Sequence, residues 1–275
     1  MRKVPVGLPQ NWTKPPKIWE YECLASVLEA YPTAMGHFAQ KVLPRTLCLF
    51  EHIPDTCPIL EALSPFVQRY IALLPMPLHS RIVKWKRPGH VYYSTNHNIA
   101  NEGPYCHLQN PHNGGMSTFF QPPLLQLVRA VFVKNNTNLI NNKDKHILVI
   151  KRRAGARRYT ERDLLLKQLD TVSKYAKIFR GNGTLEEHIQ FFNWADVVIR
   201  PHGAGFSNLV FCNPKALVIE IGWDGTSTME MDNMYSRVAA ALDLNYRLLI
   251  GKGSYGGSIS LNPTNVITVL KQAFI

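Results

Sequence analysis

The clearest pattern of hydrophobic and polar positions lies in the second half of the chain. His146–Ile150 is a short, apolar, β-branched run that predicts a buried strand, and a polar, basic turn follows it. Thr160 with Asp163 has the form of a helix start, running to about Tyr175, and Ala176–Phe179 predicts a short strand. Thr184-Leu185-Glu186-Glu187 is a capping-box pattern opening a helix to about Trp194, followed by a strand over Asp196–Arg200. A glycine-opened helix is expected from Gly203 to Phe211, and a buried strand over Leu217–Ile221. A helix around Met231–Leu242, a strand over Tyr246–Ile250 and a last helix starting at Asn262-Pro263 complete the series. Regular alternation of this kind predicts an α/β fold, with a parallel sheet covered by helices on both faces in the doubly wound manner.

The first half is less regular. Apolar positions from Trp19 to Ala30 fall at helical spacing, and a second helical stretch runs from His37 to His52. Between Pro54 and Pro123 the chain is rich in Pro, His and Asn, with strand-like pieces at Arg81–Trp85 and His90–Tyr93.

In a doubly wound sheet, ligands bind beyond the carboxyl ends of the strands, where loops run into helix N-termini. This directs attention to the segments Arg152–Arg158, Arg180–Thr184, His202–Gly205 and Glu220–Asp224. In Ile199-Arg200-Pro201-His202-Gly203-Ala204-Gly205, glycines allow close approach of a ligand to the backbone, and the free N–H groups at a helix start suit a diphosphate. His202 would donate a hydrogen bond to a phosphate or to a departing oxygen; the plainer reading is a tight turn with a packed histidine. Arg152 and Arg157, at the end of the first strand of this half, could reach the same diphosphate through guanidinium forks, the alternative being a solvated basic loop. Glu220 ends a buried strand, where a carboxylate can accept hydrogen bonds from ribose or sugar hydroxyls, or else pair with an arginine or cap a helix.

Composition narrows the classes. With 45% hydrophobic and 18% charged residues, the 275-residue chain is globular in character and long enough for one large domain or two small ones. No run of about 18 apolar residues occurs, and Met1-Arg2-Lys3-Val4-Pro5 lacks the apolar core of a signal peptide, so a soluble, cytoplasmic protein without an anchor is expected. Five scattered cysteines without a C-x-x-C pair favour a reducing compartment and argue against structural zinc. Sequons at Asn11, Asn135 and Asn182 carry no weight without a secretory route. The formal charge of +12 attracts anions in general, and the densest cluster, Lys151-Arg152-Arg153 with Arg157-Arg158, sits beside a strand end, which suits a phosphate pocket. Nothing of zinc-finger spacing, helix-turn-helix pattern or RNA-reading aromatic motif accompanies the charge, so nucleic acid is not an expected partner.

Together, Thr184-Leu185-Glu186-Glu187, Ala195-Asp196-Val197-Val198, His202-Gly203-Ala204-Gly205 with Asn208-Leu209 and Phe211, and Val218-Ile219-Glu220-Ile221 resemble glycosyltransferase family 61. The likeness extends back through Ile150-Lys151-Arg152 and Arg157-Arg158, covering about residues 145–225. It implies a GT-B fold of two Rossmann-like domains: an acceptor-side α/β domain over residues 1–140, a nucleotide-sugar-binding domain over 141–260, and a C-terminal helix over 261–275. It further implies an inverting, metal-independent transfer from a UDP-sugar co-substrate, with no other cofactor, to a hydroxyl of a glycan or glycoprotein. Xylose is the first expectation for the sugar and N-acetylglucosamine the second. Thr184, His202, Gly203, Ala204, Gly205, Asn208 and Glu220 then join Arg152 and Arg157 as donor-binding residues.

In the first half, Gly36-His37-Phe38 with Leu43-Pro44-Arg45 resembles the family's histidine-containing helix near the acceptor, which makes His37 the candidate catalytic base. The family usually carries Asp or Glu four residues after that histidine, where this chain has Lys41. Another group of the first half, such as Glu51, His52 or Glu102, could take the proton instead, or the enzyme is impaired, and a packed core histidine is the alternative for His37. Nothing resembles a D-x-D metal motif; Asp224, Glu230 and Asp232 are isolated acids. A non-catalytic sugar-nucleotide or glycan binding module that has lost its base is the competing expectation.

Overall fold

The computed structural model describes residues 17–27, 38–84, 90–99, 122–133, 145–151, 157–224 and 234–274. In the first half, β1 (Lys17–Ser26) is followed by a π-helical turn (Phe38–Val42) leading into α1 (Leu43–His52), then β2 (Ile59–Glu61), α2 (Pro65–Ala72), α3 (Met76–His79), β3 (Ile82–Lys84), β4 (His90–Ile99) and α4 (Pro122–Phe132). The strands form a sheet in the order β3-β2-β1-β4, with every pairing parallel. Ser64 opens α2 by accepting a hydrogen bond from the Val67 amide, with Pro65 at the first helical position, where its missing N–H costs nothing.

The helix expected over Trp19–Ala30 is instead strand β1. This strand lies between β2 and β4 and pairs along its length with β4, from Lys17↔His90 to Ser26↔Ile99. Its first part has the period of a strand, half-buried Trp19, Tyr21 and Cys23 alternating with exposed Glu20 and Glu22, and only the buried run Leu24-Ala25-Ser26-Val27 lacks that alternation. Trp19, Tyr21 and Cys23 in any case fit a pleated surface better than an isolated helix.

The same sheet overturns the expectation of reduced cysteines. Ala25 pairs with Ile59 across the ladder, which brings position 23 beside position 57, and Cys23 and Cys57 form a disulfide across a sequence separation of 34. No local spacing announces such a bond, because sheet adjacency creates it. Disulfides of this kind persist in oxidising compartments. Cys212 is a buried free thiol.

The second half follows the alternation read in the sequence: β5 (Ile147–Ile150), α5 (Arg162–Leu169), β6 (Ala176–Phe179), α6 (Leu185–Trp194), β7 (Val197–Pro201), a 3-10 helix (Ala204–Phe211), β8 (Leu217–Trp223), α7 (Met234–Ala241), β9 (Asn245–Gly253), β10 (Ile259–Ser260) and α8 (Pro263–Ala273). Its sheet runs β10-β9-β8-β7-β5-β6, parallel except for the β9–β10 hairpin. Strand order therefore reverses at β5, leaving a topological switch between β5 and β7 where such sheets receive ligands. α5 stops at Leu169 rather than near Tyr175, because the Thr171 hydroxyl turns back onto the Gln168 carbonyl and the Ser173 hydroxyl onto that of Lys145.

Side chains of the central strands divide by the period of two. Ile147, Val149, Val197, Ile199, Leu217 and Ile219 face α5 and α8, where Leu165, Leu169, Val266 and Leu270 complete one core. Leu148, Ile150, Val198 and Val218 face the other way, toward Phe192 of α6, the 3-10 helix and α7. That second core continues without interruption into the first half, taking in Leu125, Val128 and Phe132 of α4, Tyr70 of α2 and Leu43 and Leu47 of α1. Tyr70 joins the two: its ring centroid lies 5.4 Å from Phe38, 5.7 Å from Phe132 and 6.4 Å from Phe211. Among the described residues, no helix is long and apolar enough to cross a membrane.

Candidate functional site

A crevice of about 420 Å³ opens at the carboxyl ends of β5, β6 and β7 and is closed from the other side by α2 of the first half. Lys151 follows β5, Arg180 follows β6, Arg200 is the penultimate residue of β7, and Ala204 and Gly205 start the 3-10 helix; Arg69 and Tyr70 come from α2. Among the described residues no carboxylate lines it. Four cationic side chains in a concave, partly apolar wall give a positive potential that favours an anion. His188 also borders the crevice, with Nε2 on the Asn182 carbonyl at 3.0 Å. Burial holds its pKa below the ordinary histidine value, and the nearby Arg69 charge adds to the effect, against the Asn182 bond, which opposes it.

Arg200 is 7% exposed, and its fixed position has a visible cause. Its Nη1 donates to the Gly203 carbonyl, and the guanidinium lies 5.6 Å from the Phe206 ring centroid. A Cβ on Gly205 would stand 2.6 Å from the guanidinium carbon, so the glycine makes room for Arg200 itself. Gly203 has φ 144°, a backbone conformation that side-chain-bearing residues rarely adopt. A smaller cavity of about 220 Å³ lies on the opposite face of the switch, at the start of α5, bordered by Arg158, Arg162 and again Arg200.

Beside this crevice, on the β8 flank, His202 meets Glu220. Its Nδ1 is hydrogen-bonded to Glu220 Oε1, and the Tyr246 hydroxyl donates to Glu220 Oε2 at 2.5 Å. Glu220 is 2% exposed, so these two bonds replace the water it has lost. The carboxylate that the sequence offers to ribose hydroxyls is thus engaged with its own fold, and it sets the orientation of His202. Trp223 and Tyr235 pack around the imidazole at centroid distances of 5.6 and 5.3 Å.

The remaining sequence candidates separate. Arg157 does not line the 420 Å³ crevice. Its guanidinium lies 4.4 Å over Tyr255, which touches Trp223 at 6.0 Å, so Arg157 reaches the surroundings of His202 through two aromatic rings. Thr184 is the N-cap of α6, accepting from the Glu187 amide at 3.2 Å while the Glu187 carboxylate accepts from the Thr184 amide at 2.7 Å. Asn208 is fully buried in the 3-10 helix, and neither amide atom has a hydrogen-bond partner among the described residues. Arg152 and His37 lie outside the described residues, as does Glu102. Glu51 and His52 end α1 on its exposed side.

Sequence reasoning passes over Arg69, Arg200, Tyr246 and Glu61. Arg200 adjoins the motif that was read, whereas Arg69 and Tyr246 become relevant only through packing of distant segments. Glu61 ends β2, is 3% exposed and accepts a hydrogen bond from Thr46; burial pushes its carboxyl up to about 7 against the lowering effect of that bond and of the Ala62 amide. Among the described residues, no group of three or more His, Cys, Asp or Glu is placed to hold a metal ion.

Comparison with known proteins agrees with the motifs. The family profile described as Glycosyltransferase 61 matches residues 35–219. A comparison with the curated proteins finds no match. Among solved structures, the chain is similar to the bacterial iron-containing dodecameric glycosyltransferase TibC from enterotoxigenic E. coli, with 13% identity and a TM-score of 0.37 over 77% of this chain and 64% of that one. It therefore spans a little under two thirds of that protein's length. A second structure, the dodecameric iron-containing heptosyltransferase TibC in complex with ADP-D-beta-D-heptose, matches at 10% identity and a TM-score of 0.41 over 98% of this chain and 82% of that one. The profile match covers well over half of the sequence, including the turn that carries His202 and the strand leading to Glu220: the chain belongs to glycosyltransferase family 61.

Proposed function

We propose that the chain is a GT-B-type, metal-independent, inverting glycosyltransferase. It moves a sugar, xylose in the first instance and N-acetylglucosamine in the second, from a UDP donor to a hydroxyl of a glycan or glycoprotein. The observation that carries this reading is the cation-lined crevice at the β5–β7 switch, with no carboxylate among its described lining residues. In the proposed reaction the acceptor oxygen attacks the anomeric carbon in line, the bond from that carbon to the diphosphate oxygen breaks, and the configuration inverts. Negative charge then builds on the departing diphosphate, where fixed cations and helix-start amides stabilise it best. Lys151, Arg180 and Arg200 supply that charge here, with Arg152 next to Lys151 in sequence. His202 gives its Nδ1–H to Glu220 and, in its doubly protonated form, its Nε2–H to the leaving oxygen. The acceptor proton goes to His37, held by the 1–140 part of the chain, while the 141–260 part holds the donor.

A calorimetric titration with UDP and UDP-sugars, with EDTA present throughout, tests the donor reading. His202→Ala and Arg152→Ala are each expected to weaken UDP binding by about tenfold, some 1.4 kcal/mol, with the fold retained. Unchanged affinity in both variants removes the central claim. A second reading, a non-catalytic nucleotide-sugar or glycan binding module, is favoured by Lys41, which is 5% exposed at the position where the family resemblance calls for an acid. Donor binding without transfer or donor hydrolysis would select it.

A further inference from the structure

The wall of the crevice that faces the strand ends belongs to the other half of the chain. Arg69 stands on the exposed side of α2, and its Nη1 donates to the Gly183 carbonyl in the loop after β6 at 3.4 Å. That bond is long and solvent-exposed, too weak to account for an arginine placed against three further cations. Burial first, and then the Arg69 charge, disfavour protonation of His188 on the far wall. The adjacent Tyr70 is fully buried, borders the same crevice, and its hydroxyl has no hydrogen-bond partner among the described residues. Like charges facing one another across a cavity repel until an anion lies between them. A diphosphate has the charge, and its paired oxygens fit guanidinium forks presented from two sides.

Resting on the donor reading above, we propose that Arg69 is a diphosphate-binding residue supplied by the first half of the chain, so that the donor's diphosphate is gripped between Arg69 on α2 and Arg180 with Lys151 at the strand ends. The nucleoside and sugar lie outside this grip. Donor binding thereby depends on both halves rather than on the second alone.

The test is calorimetry with UDP, UMP and inorganic pyrophosphate on the wild type, Arg69→Ala, Arg180→Ala and a distant control, Lys271→Ala on α8. Wild type is expected to prefer UDP to UMP. Arg69→Ala and Arg180→Ala should each weaken UDP and pyrophosphate by about tenfold and narrow the preference for UDP over UMP, with UMP affinity little changed. Lys271→Ala should alter nothing, and thermal unfolding should show Arg69→Ala folded as the wild type is. Arg69→Lys keeps the charge without the fork and should fall between the two. Wild-type affinity for UDP in Arg69→Ala would reduce Arg69 to a link to Gly183 and overturn the assignment. If pyrophosphate binds and Arg69→Ala weakens it while UDP binds no better than pyrophosphate, the grip stands and the UDP-donor reading falls. Absence of binding by both anions to the wild type overturns both.

Discussion

Glu220 links two residues that lie far apart in sequence, His202 at the turn after β7 and Tyr246 at the start of β9. The Tyr246 hydroxyl is held well above the usual tyrosine range, first by burial and then by the Glu220 charge, so it remains a donor at any working pH. Tyr246→Phe leaves a buried carboxylate oxygen short of one donor, a cost of about 1–3 kcal/mol. Turnover is expected to fall while UDP affinity stays within about threefold, because His202 loses orientation rather than a ligand contact. Equal losses in turnover and affinity, read by steady-state kinetics and titration, would instead place Tyr246 against the ligand. Glu61 offers a separate check through pH. The folded protein keeps its proton up to about pH 7, the unfolded chain only to about 4.5, so ionisation opposes folding. Stability is full below 4.5, declines as the pH rises toward 7, and is level above that, with a total change of up to about 3 kcal/mol. Glu61→Gln should remove that slope in denaturant unfolding at pH 5 and pH 8; an unchanged slope would assign it to another group. His202 and Glu220 were each visible in the sequence because their types are unusual at strand ends. Their partnership was not, since 18 residues separate them and only the β7–β8 pairing brings them together.

Elements whose causes are local were the legible ones. The capping box at Thr184 reads directly from Thr184 and Glu187, and both of its hydrogen bonds form. That same success argues that Thr184 serves the helix. Thr184→Ala should destabilise the protein by about 1 kcal/mol and leave UDP affinity unchanged, whereas weakened UDP binding would return Thr184 to the donor site. β1 carries a local strand signal in the alternation of Trp19, Tyr21 and Cys23 with exposed Glu20 and Glu22, and the helical expectation follows only from the apolar positions of the segment up to Ala30. The segment after His202 was expected to be helical and is, but in 3-10 form, over Ala204–Phe211. 3-10 and α-helices share their sequence preferences, so the apolar pattern alone does not separate them.

At the scale of the whole molecule, the parallel sheet of the second half was legible because each strand–helix unit repeats the same apolar signature, and its carboxyl edge followed from the alternation alone. What could not be read was the other wall of the crevice. Arg69 and Gly183 meet only when α2 has docked against the second sheet, and no periodicity encodes that docking. The Cys23–Cys57 bond is of the same kind, a product of sheet adjacency between segments without any motif. The uninterrupted core that runs from α1 and α4 through Tyr70 and Phe211 to Val198 has a consequence for descent and for engineering alike. On the proposed assignment of the acceptor to the first half, a relative cannot simply borrow that half of another member as a cassette: Leu125, Val128 and Phe132 of the incoming segment would have to match Phe206, Leu209 and Phe211 of the resident one. Substitutions in the loops that leave this seam untouched disturb the core least, and graft boundaries are best drawn around it rather than through it.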